Sequence, residues 1–182
     1  MATVTYTLSP AIPLHTMIPA MGGGVAVVPP AIPLGAGIYM ICNLNTNSRY
    51  AGISGHMRRR FGTRQGSCFS LGFSRANLMG VSAYCGTVGW KNHGDAALAP
   101  DNVPGGYQAA NMRVKIDHHR YDLEHLMIKA MQYQWPIFTC TNTDKTGPLR
   151  NKSTRRTITV RFSLGGVVAA PPVTLAPGAT WA

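Results

Sequence analysis

The stretch GIYMICNLNTNSRYAGIS, Gly37 to Ser54, decides the fold. Its first seven residues are β-branched, aromatic or otherwise strand-compatible, and the Asn-rich NLNTNS lets RYAGIS return alongside them, so the stretch predicts a β-hairpin. Tyr39 and Tyr50 stand eleven residues apart, a separation that suits two facing strands. Taken alone, such a pair is more often cross-strand packing than chemistry.

Working outward, HMRRRFGTR (His56 to Arg64) carries charge at helix-compatible spacing and predicts a short helix that stops near Gly62 or a little later. Arg58, Arg59 and Arg60 on it read, in isolation, as a solvated basic face. Residues 66–106 form a glycine-rich insert expected to be mostly loop, although VSAYCGTV within it has strand character. MRVKID predicts a strand. YDLEHLMIKAMQYQW predicts a helix with Asp122 near its start and Pro136 beyond its end. Leu123, Leu126, Met127, Ala130 and Met131 recur at helical spacing and define its core face, with Glu124 off the centre of that stripe. RTITVRFSL alternates and predicts a strand.

In order along the chain, the tripeptides Gly37-Ile38-Tyr39 and Tyr50-Ala51-Gly52, the pair Arg60-Phe61 and the run LEHLMI around Glu124 resemble the GIY-YIG nuclease family. The second tripeptide reads YAG where the family pattern has YIG. Glu124 is the only glutamate of the chain, and it sits where the family carries its essential glutamate, early in a helix of the form LExxLI. Asn142, in TCTNTD after a helix and a proline, matches the family's asparagine. The resemblance spans Gly37 to Asp144 and leaves out both ends of the chain and the glycine-rich insert. It implies a small, mostly antiparallel α/β sheet built on the hairpin and flanked by the arginine and glutamate helices. It also implies a divalent-metal-dependent endonuclease acting on DNA, with RNA left open, in which Tyr39, Tyr50, Arg60, Glu124 and Asn142 are catalytic.

The chemistry has use for each group. Hydrolysing a phosphodiester requires a positioned water, neutralised phosphoryl oxygens and help for the leaving alkoxide. Glu124 would anchor Mg²⁺ or Mn²⁺ through a single carboxylate, and Arg60 would offer its planar fork to the scissile phosphate. By the resemblance, Tyr39 takes the proton of the attacking water and Tyr50 orients it; a reference pKa near ~10 means that nearby positive charge must assist. Many members of the family have a histidine one turn after the arginine, where this chain has Arg64. Arg64 is therefore read as a phosphate contact, with His56 as the alternative proton carrier. Arg58, His118, His119 and Lys145 are the further candidate phosphate-binding residues. His118, His119, His125 and Cys140 match no standard zinc spacing.

Charge agrees with an anionic partner: among 182 residues, 17 Lys and Arg face six Asp and Glu, a formal +11. An acidic membrane surface or an acidic protein would also satisfy that balance. A toxin-like role would add an acidic inhibitor or immunity protein as a partner, and a restriction-type, repair or mobile-element role is the alternative. No apolar run approaches the roughly 20 residues that span a bilayer.

Residues 1–48 hold no Asp, Glu, Lys or Arg, and nothing after Arg161 is charged. Residues 1–36, Pro- and Gly-rich with PAIPL at Pro10 to Leu14 and again at Pro30 to Leu34, are expected to be an arm outside a nuclease domain at 37–163, with 164–182 an apolar tail. The basic start of a Sec signal is missing. The site of action is read as cytoplasmic, with export by another route as the alternative, and four dispersed cysteines are read as reduced. Two other classes compete with the enzyme: a non-catalytic nucleic-acid-binding module on the same scaffold, and a secretion-associated structural protein whose working part is the arm.

Overall fold

A computed structural model of the chain describes residues 1–17, 30, 32, 35–62, 78–92, 113–169 and 171–182. The fold is α/β. Its first strand, β1 (Ala2–Leu8), buries Ala2, Val4, Tyr6 and Leu8 in alternation with threonines. A short β2 (Ile12–Pro13) and one helical turn, α1 (Leu14–Met17), follow. The hairpin forms as β3 (Gly37–Asn43) and β4 (Ser48–Ser54), with Tyr39 opposite Gly52 and Ile41 opposite Tyr50. Asn47, at φ 48°, supplies the left-handed residue of its turn. Next come α2 (Met57–Gly62) and the long β5 (Val81–Asn92).

A second hairpin, β6 (Arg113–Ile116) and β7 (His119–Asp122), runs straight into α3 (Leu123–Gln134). The Asp122 side chain caps α3 by accepting from the His125 N–H at 3.0 Å. Six strands complete the chain: β8 (Thr139–Cys140), β9 (Leu149–Arg150), β10 (Ile158–Leu164), β11 (Val167–Val168), β12 (Val173–Leu175) and β13 (Thr180–Trp181).

Among the described residues the main sheet runs β11-β10-β1-β5-β3-β4-β8, with β2 added beside β5 and β12 beside β10. β1–β10 and β4–β8 are parallel and the other pairs antiparallel, so the sheet is mixed. Alternation sends neighbouring side chains of β3 to opposite faces. Ile38, Met40 and Cys42 meet Leu123, Leu126, Met127, Ala130 and Met131 of α3 on one side. Tyr39 and Ile41 meet Met57 and Phe61 of α2, with Leu14 and Met17 of α1, on the other. A twelve-residue helix is marginal by itself, and its buried Leu and Met side chains, each stabilising by about 1.5–3 kcal/mol, hold α3 in place.

Three boundaries differ from the sequence expectation. Of residues 1–36, Ala2–Leu8 form no arm: β1 lies between β10 and β5 in the interior of the sheet, while residues 18–29, 31, 33 and 34 lie outside the described residues. Its strand signal is the alternation in ATVTYTL, which the uncharged, Pro-rich character of residues 1–36 masks. Ile12 and Ile32, equivalent positions of the repeated PAIPL, are both buried in the core on the Tyr39 face. The C-terminal segment is likewise no tail, since β12 pairs with β10, β13 pairs with β9, and Leu175 and Trp181 are buried. The glycine-rich insert holds β5, which pairs with β3 and β1; Gly86 is required there because a Cβ would strike the Thr7 carbonyl. Residues 63–77 and 93–112 of that region lie outside the described residues.

Candidate active site

Tyr39, Tyr50 and Arg60 come together on the α2 face. Tyr39 and Tyr50 stack at 6.0 Å between centroids, and Phe61 meets Tyr39 edge-on at 5.4 Å. Arg60 donates from Nε to the Tyr39 Oη at 3.1 Å. Two glycines of the tripeptides make this possible. A Cβ at Gly52 would run into the end of the Tyr39 ring, so the phenol can lie across β4 only because position 52 has no side chain. A Cβ at Gly37 would stand 2.7 Å from the Gly86 carbonyl and 3.0 Å from Met57 Cγ, so that glycine lets α2 settle on the hairpin.

Burial pushes the Tyr39 phenol well above its ordinary value, the neighbouring Tyr50 adds to this, and Arg60 opposes it. For Arg60, burial acts to lower the pKa, and the two phenols outweigh it, so the guanidinium stays charged. Tyr39 is therefore a protonated phenol at neutral pH. It accepts from Arg60 and keeps its own proton beside Tyr50, an arrangement suited to holding the guanidinium in place rather than to removing a proton.

Asn142 sits on the neighbouring edge of β4 with both polar atoms of its amide hydrogen-bonded: Oδ1 accepts from the Ala51 N–H at 3.0 Å and Nδ2 donates to the Ala51 carbonyl at 2.7 Å. The side chain thus extends the β4–β8 pairing by one step, beside the Tyr50-Ala51-Gly52 tripeptide. It positions that strand; both of its polar groups already have partners.

Glu124 projects from the first turn of α3, whose buried residues pack on the side of the sheet away from Tyr39, and forms a short ion pair with Lys145 Nζ, which also binds Asp122 at 3.1 Å. Burial acts to lower the Lys145 pKa, and hydrogen bonds and charge from Glu124 and Asp122 raise it overall. Among the described residues no hydrogen bond or ion pair joins this trio to Tyr39, Tyr50 or Arg60. Asn142, bonded to Ala51, and Lys145 are three residues apart, a span of at most ~11 Å, so the segment that carries Lys145 to the carboxylates starts beside the tripeptide.

The other candidates divide. Lys145 is committed to the carboxylates. Arg58 has a buried Nε with no hydrogen-bond partner among the described residues, while His118, in the β6–β7 turn, and His119 are exposed. His56 precedes α2 and is exposed, and Arg64 lies outside the described residues. Arg49 is held between Trp135 and Phe138, at 4.2 and 3.8 Å from their centroids, and is thereby occupied in packing.

No family model, curated protein or solved structure matches the chain.

Asp122 as a partner of Glu124 escapes the sequence reading, which takes it only as a helix start. Its spacing of two from Glu124 was the available signal. The two carboxylates converge on one ammonium, and such a donor set fits a hard divalent cation once Lys145 yields its place.

Proposed function

We propose that the chain is a divalent-metal-dependent phosphodiesterase of GIY-YIG type acting on nucleic acid, DNA before RNA. The observation that carries this reading is the Arg60–Tyr39 hydrogen bond with Tyr50 stacked alongside: a charged fork and two phenols, brought together by the motif glycines on one face. Arg60 binds a non-bridging phosphate oxygen and stabilises the charge that grows on it. Tyr39, fully buried, holds the Arg60 guanidinium in place, and the half-buried Tyr50 presents its phenol to the phosphate or to the attacking water. Mg²⁺ or Mn²⁺, when bound, supplies an activated water and further charge neutralisation; Glu124 and Asp122 are the residues that would hold it.

The test is plasmid cleavage with Mg²⁺ or Mn²⁺ and with chelator, for the wild type and for Arg60→Ala, Arg60→Lys and Glu124→Gln. Metal-dependent nicking should fall about 10²–10³-fold in Arg60→Ala, be partly restored in Arg60→Lys, and vanish in Glu124→Gln. Cleavage by the wild type that survives chelator would overturn the reading.

A second reading is a nucleic-acid-binding module without catalysis. It is favoured by one observation: the Glu124 carboxylate is ion-paired with Lys145. Gel retardation without cutting under every metal condition would establish it.

A further inference from the structure

We propose that the outward face of the β6–β7 ribbon binds the phosphate backbone of nucleic acid through Arg113, Lys115 and Arg120. The ribbon alternates: Val114, Ile116 and Tyr121 point into the core, while Arg113, Lys115, His118, His119 and Arg120 are exposed. Its register sets Lys115 directly opposite Arg120. Like charges facing each other across two strands disfavour the fold, so the arrangement gains only when an anion lies against it.

Among the described residues, the acids of the ribbon itself are turned elsewhere. Asp117, in the turn, accepts from Arg156 Nε at 2.7 Å and from the Ser153 hydroxyl. Asp122, opposite Arg113, caps α3 and holds Lys145. Among the described residues, no ion pair engages Arg113, Lys115 or Arg120.

The ribbon is also fixed before any partner arrives. Tyr121 Oη donates to Asn151 Oδ1 at 3.0 Å and accepts from the Lys152 N–H at 2.9 Å and the Ser153 N–H at 3.2 Å. Asp117 and His118 both have positive φ, 46° and 67°, which makes the tight turn whose twist suits a two-stranded ribbon. Such a ribbon fits the major groove of duplex DNA. With no apolar residue on its outward face, it lacks the apolar centre expected of a protein-binding patch. β7 leads directly into Asp122 and Glu124, so a strand held on the ribbon passes beside the proposed metal ligands. This inference deepens the nuclease reading by naming its substrate-holding surface, and binding can be measured apart from cutting.

The experiment is fluorescence anisotropy of the full chain with a short mixed-sequence DNA duplex in chelator, across a series of KCl concentrations. Replacing Arg113, Lys115 and Arg120 together by alanine should weaken binding about 10–100-fold near ~0.1 M salt and reduce the slope of log K against log salt by about 2–3. Lys115→Gln alone should reduce the slope by about 1 with the melting temperature unchanged or raised, which separates lost binding from lost folding. Arg161→Ala, an exposed cation on β10, should leave the slope unaltered. A triple variant with the wild-type slope and affinity overturns the proposal, and so does an equal or larger dependence on these three residues when polyglutamate or anionic vesicles replace DNA. If the wild type never cuts plasmid while the ribbon variants lose DNA, the nuclease reading fails and the ribbon stands. Cutting and binding both preserved in the triple variant gives the reverse.

Discussion

The ring of Tyr39 fills the space that a side chain at Gly52, its cross-strand partner, would need. Tyr39 is fully buried, stacked on Tyr50 and edged by Phe61, so it has little room to give way. Gly52→Ala should cost about 1–3 kcal/mol, break the Arg60 hydrogen bond and change the near-ultraviolet circular dichroism. Gly37→Ala should cost more, because its methyl meets the Gly86 backbone rather than the end of a side chain. Urea unfolding of the two variants checks the order. A Gly52→Ala protein with wild-type stability and spectrum would show that Tyr39 is not held as described.

Asn142 yields a prediction that separates positioning from chemistry. Asn142→Ala leaves the Ala51 N–H and carbonyl without their partner and should lower stability by about 1–3 kcal/mol. Asn142→Asp keeps the acceptor for the Ala51 N–H but sets a carboxylate oxygen against the Ala51 carbonyl, so it should be at least as unstable. Any loss of cleavage should track the unfolded fraction and be recovered at low temperature. Activity lost from a protein that melts like the wild type would make Asn142 a substrate contact instead.

High pH should loosen the protein from within. Burial pushes the Cys42 thiol up to about 11, with Arg49 opposing, and the Cys85 thiol up to about 12, and it raises Tyr39 as well. A group whose neutral form is favoured in the fold binds its proton more tightly there than in the unfolded chain. Stability is therefore complete below the ordinary values of 9.0 for the thiols and 10.0 for the phenol, and falls as pH rises through and above them. Denaturant midpoints measured from pH 7 to pH 11 should decline beyond about pH 9, less steeply in Cys85→Ala, and Cys42 and Cys85 should resist thiol reagents in the native state.

The hairpin, α2, α3 with its Asp122 cap and β10 were legible because each rests on local information: strand composition, an Asn-rich turn, helical spacing and alternation. β1 and β5 were not. ATVTYTL carries the period of a strand, yet its place between β10 and β5 comes from pairing across 78 residues or more, which no local pattern encodes. The same limit applies to the site. Tyr39 and Tyr50 share a face by strand arithmetic, and Arg60 follows from the adjoining helix. That the core face of α3 packs on the opposite side, and that Lys145 reaches both Asp122 and Glu124, depends on tertiary packing; the bonds among the described residues join Tyr39 with Arg60, Asn142 with Ala51, and Lys145 with Asp122 and Glu124.

That trio supports a last prediction. Lys145 Nζ lies where Asp122 and Glu124 converge, and its backbone is held at φ 58°, a conformation costly for a lysine. The ammonium thus competes with a divalent cation for the same two carboxylates. Lys145→Met removes the competitor and leaves the acids facing each other, so in chelator the variant should melt below the wild type. Mn²⁺ should then bind it more tightly, by about 5–30-fold for a competing ion pair of roughly 1–2 kcal/mol, and raise its melting temperature more than that of the wild type. Mn²⁺ titration followed by electron paramagnetic resonance reads this directly without reference to cleavage. Glu124→Gln in the same background should abolish the gain, whereas an unchanged Mn²⁺ affinity in Lys145→Met would mean that these carboxylates serve the fold and the metal, if used, binds elsewhere.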